Sequence, residues 1–300
     1  MTMKLRFLGV RGSRPTHKRH LLGYGGNSTS LELVLDGEPF HLFLDGGSGL
    51  AHRGHELGES PAKQRFHFLV THTHWDHILG YPFFKPFYNP NNEIIFYASK
   101  TERAQFHDLF FGLQRVDNLP VPVSALKAKL RFESVSPETP FKIEGRVDVD
   151  TFQLNHQGVT LAYKLRYGKD SMALVTDNAP IDNDNLLGEG MRSKAGNAPD
   201  AFAKTFNDGL VRFLSGTNTV VFDTHFTEKE LKADWGHSTP ARALAFCKAA
   251  GVHRLILFHH APEDADQAVD DKVQSIFHDA CHSGVEVEAA REGDLWDLSA

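Results

Sequence analysis

The stretch Phe66-His67-Phe68-Leu69-Val70-Thr71-His72-Thr73-His74-Trp75-Asp76-His77 decides the fold. It opens as an apolar run of strand length, and the six positions from His72 to His77 then carry four groups able to bind a metal. Side chains alternate along a strand end, so His72 and His74 point the same way. Asp76 and His77 fall where the chain turns toward Ile78-Leu79-Gly80-Tyr81-Pro82-Phe83-Phe84. Consecutive residues at a turn can face a second cation beside the first. Imidazole and carboxylate together suit zinc, manganese or iron. With 18 histidines in 300 residues a lone His carries little weight, but a cluster this dense does not arise from abundance alone.

The HxHxDH pattern resembles the signature of the metallo-β-lactamase fold superfamily, which takes three further ligands from strand ends downstream. His156 follows the alternating run Val149–Asn155, Asp177 follows Met172–Thr176, and His259 follows Arg254–Phe258. Thr176-Asp177-Asn178-Ala179-Pro180 is similar to the Gly-Asp-Thr-Arg-Pro of ribonuclease Z-like members. His260 is the weaker ligand choice. The resemblance implies that His72, His74 and His156 hold one metal, that Asp76, His77 and His259 hold another, and that Asp177 bridges them. It implies an α/β fold, the four-layer αβ/βα sandwich, as one domain spanning 1–300. It also implies two divalent transition-metal ions per chain, zinc first, with manganese or iron as alternatives. Three protein contacts per ion leave positions open for water and substrate, as hydrolysis requires.

Further passages narrow the resemblance. Gly9-Val10-Arg11-Gly12-Ser13-Arg14-Pro15 and Tyr24-Gly25-Gly26-Asn27-Ser28-Thr29-Ser30 resemble a bacterial branch near ribonuclease Z and the cyclic phosphodiesterases. The first of these either makes a tight turn or offers Arg11 and Ser13 to a phosphate. Asp45-Gly46-Gly47-Ser48-Gly49 is similar to the superfamily's Asp-x-Gly turn, with Asp45 orienting metal ligands. Ribonuclease Z-like enzymes carry a His-Glu-Ala-Thr-Phe passage whose acid pairs with a later His to protonate the leaving alcohol. Here the passage reads Phe222-Asp223-Thr224-His225-Phe226, so Asp223 and His237 are the corresponding pair and His225 the competing donor. The expected catalytic set is His237, Asp223 and Asp76.

Composition bears on the substrate. With 32 basic and 38 acidic residues the formal charge is −6, which is no footprint for many phosphate contacts along a nucleic acid. Ribonuclease Z proper grips transfer RNA with a long Gly/Pro-rich arm, and no segment has that composition. The expected reaction is hydrolysis of a small, cyclic nucleotide phosphodiester through a hydroxide bridging two metals, with long nucleic acid disfavoured. The alternative is a ribonuclease Z-like endoribonuclease acting on RNA 3′ ends. Sequence relatives often pair as homodimers, so a homodimer is carried as an expectation.

No apolar run approaches the roughly 18–20 residues that span a bilayer, and Met1-Thr2-Met3-Lys4-Leu5-Arg6 enters a strand-like run without a signal peptide's apolar core. A cytoplasmic enzyme without membrane contact is expected. Cys247 and Cys281 match no metal or redox spacing and read as reduced packing residues. Helical periodicity is clearest after Thr239, where a polar cap precedes Pro240, and from Asp266 to His282. Segment 101–129, rich in Phe and Leu, reads as a cap over the metal face or as ordinary core, and 182–199 as a mobile surface loop.

Overall fold

Alternation builds the central layers. Along the third strand Leu42 and Leu44 turn to one side and Phe43 to the other, and all three are fully buried. A strand buried on both faces needs a layer on each side. The computed structural model describes residues 2–58, 60, 62–113, 123–179, 181, 186–232 and 234–299, and supplies both layers.

The first sheet comprises β1 (Met3–Gly9), β2 (Ser30–Leu35), β3 (Phe40–Leu44), β4 (Arg65–Leu69), β5 (Glu93–Ser99), β6 (Lys129–Val135) and, at the far edge beside β1, β14 (Leu295–Asp297). The second runs β13 (Glu286–Ala289), β12 (Arg254–Phe258), β11 (Thr219–Asp223), β10 (Asp170–Val175), β9 (Leu161–Tyr167), β8 (Val147–Gln153) and β7 (Phe141–Ile143). Strands β3 to β6 are mutually parallel, as are β10 to β13. Parallel neighbours need crossovers, and helices supply most of them: α1 (Leu50–Leu57), the single turn α2 (Trp75–Ile78), α3 (Lys100–Leu113), α4 (Gly188–Ala195), α5 (Pro199–Leu214), α6 (Pro240–Ala250) and α7 (Asp266–Ser283).

Three apolar clusters fill the spaces between layers. Leu5, Leu42 and Leu44 meet Val149, Leu165, Leu174 and Ile256 between the sheets. Phe43, Phe68 and Phe96 face outward onto Leu50, Tyr81, Phe106 and Phe110. Ala173, Val220 and Leu255 face outward onto Phe206, Leu210, Leu244 and Ile276. The expected αβ/βα sandwich is therefore present. No helix among the described residues is long and apolar enough to cross a membrane.

Three expectations can be set beside the structure. In the segment read as cap or core, Phe106 and Phe110 are buried against Tyr81, Phe87 and Phe96, so the aromatic face of α3 is core; residues 114–122 lie outside the described residues. The stretch 182–199, expected to be a mobile loop, contains α4, with Leu186, Leu187, Met191 and Ala195 buried; 182–185 lie outside the described residues. Met191 and Ala195 stand one helical turn apart on the core face, a pattern hidden by Gly188 and Gly190. Cys247 is a buried packing residue, whereas Cys281 is exposed near the end of α7.

Candidate metal centre

Every strand that feeds the site does so with its C-terminal end. His72 lies beyond β4, His156 beyond β8, Asp177 beyond β10 and His259 directly after β12, while Asp45 follows β3 and Asp223 closes β11. Both sheets thus deliver side chains to one edge of the sandwich. Turning the chain sharply there requires unusual backbone. Of six non-glycine residues with positive φ among those described, Ser13 (62°), Asp45 (57°), Asp177 (43°) and His259 (60°) stand at this edge. Such conformations cost of order 1–3 kcal/mol each and persist only where the surroundings impose them.

The candidate ligating atoms among the described residues fall into three groups: His72, His74, His156 and Asp177; Asp76, His77 and His259; and, beside them, His225, His237 and His259. The Asp177 carboxylate links the first two. Asp177 Oδ1 lies 3.8 Å from His72 Nε2 and 3.7 Å from His156 Nε2. Its Oδ2 lies 3.2 Å from His77 Nε2 and 3.3 Å from His259 Nε2. Asp76 Oδ2 is 3.3 Å from His77 Nε2 and 3.2 Å from His259 Nε2. Ligand atoms placed tetrahedrally about 2.1 Å from a zinc ion stand about 3.4 Å apart, so these two groups have the span of a metal coordination shell. His72 Nε2 and His77 Nε2 are buried without a hydrogen-bond partner, an arrangement that is costly unless a cation takes the lone pair.

The outer nitrogens are held so that the inner ones stay available. Asp45 Oδ2 lies 2.7 Å from His77 Nδ1, and the same carboxylate accepts from the Thr71 amide and hydroxyl, both at 2.8 Å. The Gly236 carbonyl lies 3.1 Å from His156 Nδ1. With the proton on Nδ1 in each case, Nε2 presents a lone pair to the centre. Asp45 makes the imidazole contact that the expected orienting role needs, whereas the Gly236 carbonyl was not foreseen. Two glycines make room: a Cβ on Gly12 would strike the His259 ring, and one on Gly236 the His156 ring.

Charge accumulates in this space. Burial, the largest single influence on Asp177, would raise its carboxyl, but the summed attraction of His259, His77 and His72 takes it well below the usual range. His77 is likewise pushed down by burial, yet Asp76, Asp177 and Asp45 together hold it well above an ordinary imidazole. His156, buried and repelled by neighbouring imidazoles, falls to about 4. Three carboxylates around one imidazole make a negative well that suits a divalent cation.

Beside the ligands, His237 Nδ1 stands 3.0 Å from Asp223 Oδ2, and that carboxylate also accepts from the amides of His225, Asn178 and Ser238. Burial opposes the charge on His237, but Asp223 and then Asp177 and Asp76 raise it to about 9. His225 stacks on His237 with ring centroids 4.4 Å apart. Burial and the neighbouring His237 and His259 drive His225 down to about 3, which favours its neutral form. Thr239 caps α6 by accepting from the Arg242 amide, with Pro240 in the first turn. His237 is therefore two residues before the helix cap and not part of it. Ser13, through its amide, donates to Asp76 Oδ2 at 2.7 Å. Arg11 is fully buried, and its guanidinium donates to the carbonyls of Gly25, Ala261, Asp264 and Leu21, which closes the phosphate reading for that residue. His260 is also buried, with Nε2 2.9 Å from the Ala290 carbonyl and away from the centre.

The centre opens through a cavity of about 260 Å³ lined by Ser13, His74, Trp75, Asp76, His156, Gln157, Asp177, Trp235 and His237. Larger cavities of about 510 and 500 Å³ lie elsewhere, but neither is lined by any of the clustered ligands. Location of the ligands outweighs size here.

A family model described as the beta-lactamase superfamily domain matches residues 55–260. The ribonuclease Z of Limosilactobacillus fermentum is 23% identical over 286 residues, covering 86% of this chain and 87% of that protein. Among solved structures, the metallo-beta-lactamase fold protein YhfI from Bacillus subtilis superposes with a TM-score of 0.69 at 15% identity, covering 98% of each chain. The short form of human tRNase Z gives 0.65 at 15% identity, covering 99% of this chain and 100% of that one.

Proposed function

The chain belongs to the beta-lactamase superfamily domain family, and from that premise we propose that it is a metal-dependent phosphodiester hydrolase whose substrate is a small, cyclic nucleotide. The observation that carries the reaction type is the pair of ligand groups meeting at Asp177, with the His237–Asp223 pair beside them on one small cavity. The fold implies divalent metal ions. His72, His74, His156 and Asp177 would hold one, and Asp76, His77, His259 and Asp177 a second. When bound, such ions supply Lewis acidity toward water and toward phosphoryl oxygen.

The chain's own groups do the rest. His237 faces the cavity, charged and aligned by Asp223, and would deliver its proton to the departing alcohol oxygen. Nearby cations would lower His237 toward neutrality, where a general acid works best. Asp45, Thr71 and the Gly236 carbonyl keep the imidazoles pointed inward. A cavity of about 260 Å³ and a charge of −6 favour a compact substrate over an extended polyanion. Two zinc ions per chain, a cytoplasmic setting and a homodimer complete the reading.

A second reading, endonucleolytic action at RNA 3′ ends, is favoured by the ribonuclease Z name of the curated relatives, which match along 84% or more of this chain. One panel decides: cyclic mononucleotides, linear diesters, precursor tRNA and a lactone, assayed with protein loaded with zinc, manganese or iron. Cleavage of precursor tRNA with every small diester untouched would replace the first reading by the second.

A further inference from the structure

Most tryptophans are buried, because exposing an indole forfeits a large hydrophobic gain. Two of the three in this chain are exposed by more than half, Trp75 at 59% and Trp235 at 53%, and both line the cavity that opens on the metal ligands. None of the other exposed large apolar residues, Leu22, Phe83, Phe277 and Leu295, lines it.

Their positions are tied to the chemistry. Trp75 stands between His74 and Asp76, whose side chains turn to the ligand groups, so the indole projects from the ligand turn itself. Trp235 immediately precedes Gly236 and His237. Phe226 meets Trp235 edge-on with centroids 6.4 Å apart and meets His237 in the same way at 5.9 Å. Lys232 Nζ lies 4.0 Å from the Trp235 ring centroid, so a cation sits over one face of that indole and leaves the other to a ligand. Apart from the two indoles the lining is polar, with Ser13 and Gln157 beside the ligand residues. An acyl chain would need an apolar tunnel. A planar heterocycle needs a flat π surface and polar groups at its edge, and these are present.

We infer that Trp75 and Trp235 form a stacking platform for the nucleobase attached to the scissile phosphodiester, making them specificity-determining residues. The inference rests on the phosphodiesterase reading and deepens it. Stacking on an aromatic side chain is worth about 1–3 kcal/mol per base, or about 5- to 150-fold in affinity. Purines, with the larger π surface, are preferred over pyrimidines.

The test compares adenosine 3′,5′-cyclic phosphate with its abasic ribose counterpart, and measures AMP binding by calorimetry without turnover. Trp75→Ala and Trp235→Ala are each expected to lower the base-to-abasic ratio of kcat/KM and the affinity for AMP by about 5-fold or more. Phe at either position restores part of the loss, and Leu, apolar but not planar, does not. An unchanged ratio with unchanged AMP affinity, or rescue by Leu equal to that by Phe, overturns the platform. If the wild-type protein cleaves neither cyclic ester, the substrate reading falls by itself. AMP binding in the same variants then still decides the platform, with loss supporting it and no loss overturning it.

Discussion

Gly236→Ala concentrates the demands of the site in one methyl group. Gly236 has φ 85°, and an ideal Cβ there would lie 2.5 Å from His156 Cε1 and closer still to Nδ1. Carbon atoms in good contact stand about 3.5–4.0 Å apart, so the overlap is about 1 Å. The left-handed backbone costs about 1–2 kcal/mol for alanine, and forcing a methyl into packed surroundings about 1–3 more. The sum is about 2–5 kcal/mol if nothing moves. If His156 moves instead, it leaves both the Gly236 carbonyl and the ligand group, and metal affinity falls by the 10- to 100-fold typical of a lost orienting partner. Gly216→Ala isolates the backbone part, since Gly216 has φ 71° with nothing within 4 Å of its Cβ. The assay pairs thermal unfolding with elemental analysis after dialysis against limiting zinc. The Gly236 variant should lose roughly twice the melting temperature lost by the Gly216 variant, or retain clearly less metal. A Gly236 variant equal to the Gly216 control in both measurements would refute the account of how His156 is held.

Three further outcomes follow from the same geometry. His237→Ala should keep its metal but lose about 10²–10⁴-fold in kcat on an alkyl diester and far less on a nitrophenyl diester, whose leaving group needs no proton; equal losses would remove His237 from the general-acid role. Asp45→Asn should lower metal affinity by about 10- to 100-fold with the fold intact, because an amide cannot draw the Nδ1 proton of His77 as a carboxylate does; isothermal titration with zinc measures it, and an unchanged affinity contradicts the orienting role. Chelator-treated protein should be most stable near pH 6.5. Below that, His156 (about 4), His225 and His260 (about 3 each) stay neutral in the fold while the unfolded chain takes up protons, so stability rises with pH up to 6.5. Above it, His237 (about 9) and His77 stay charged in the fold while the unfolded chain has lost those protons, so stability falls as pH climbs toward 9. Urea midpoints across pH 4–10 trace the curve, and a monotonic rise through pH 9 would contradict the falling limb.

The candidate ligand cluster was legible in sequence because its strand-end members follow near-continuous apolar runs of strand length, the pattern of strands buried on both faces. His72 after β4, Asp177 after β10 and His259 after β12 all follow runs whose apolar residues are buried on both faces. Where burial is one-sided or absent, the pattern fails. β6 alternates between exposed and half-buried positions along most of its length, and β13 and β14 are short edges with exposed residues. The helix α5 passed unread although Ala203, Phe206, Leu210 and Leu214 form a clear stripe, because a Gly-rich stretch precedes it and Gly209 interrupts it. The Gly236 carbonyl left no signal, since the backbone of every residue offers the same acceptor. His225, the competing donor in the sequence reading, stacks directly on His237 and lies 5.8 Å from His259 by ring centroid. Only a tertiary neighbour could have shown that.

The architecture also explains why so much strain can sit at one edge. Asp45, Asp177 and His259 occupy left-handed backbone, and buried ring nitrogens of His72 and His77 stand without partners, so this edge on its own opposes folding. The offset comes from elsewhere. Three separate apolar clusters lock both faces of both sheets, and each buried Leu, Ile, Val or Phe contributes about 1.5–3 kcal/mol. The parallel strands then hold the ends of β4, β10, β11 and β12 in register regardless of what those ends carry. Because the negative well and the unpartnered ring nitrogens are both satisfied by a cation, metal binding should stabilise the folded protein. The gain is set by concentration as RT ln(1 + [L]/Kd), about 2.7 kcal/mol at a hundredfold excess over Kd. The layers keep the edge poised, and the cation completes it.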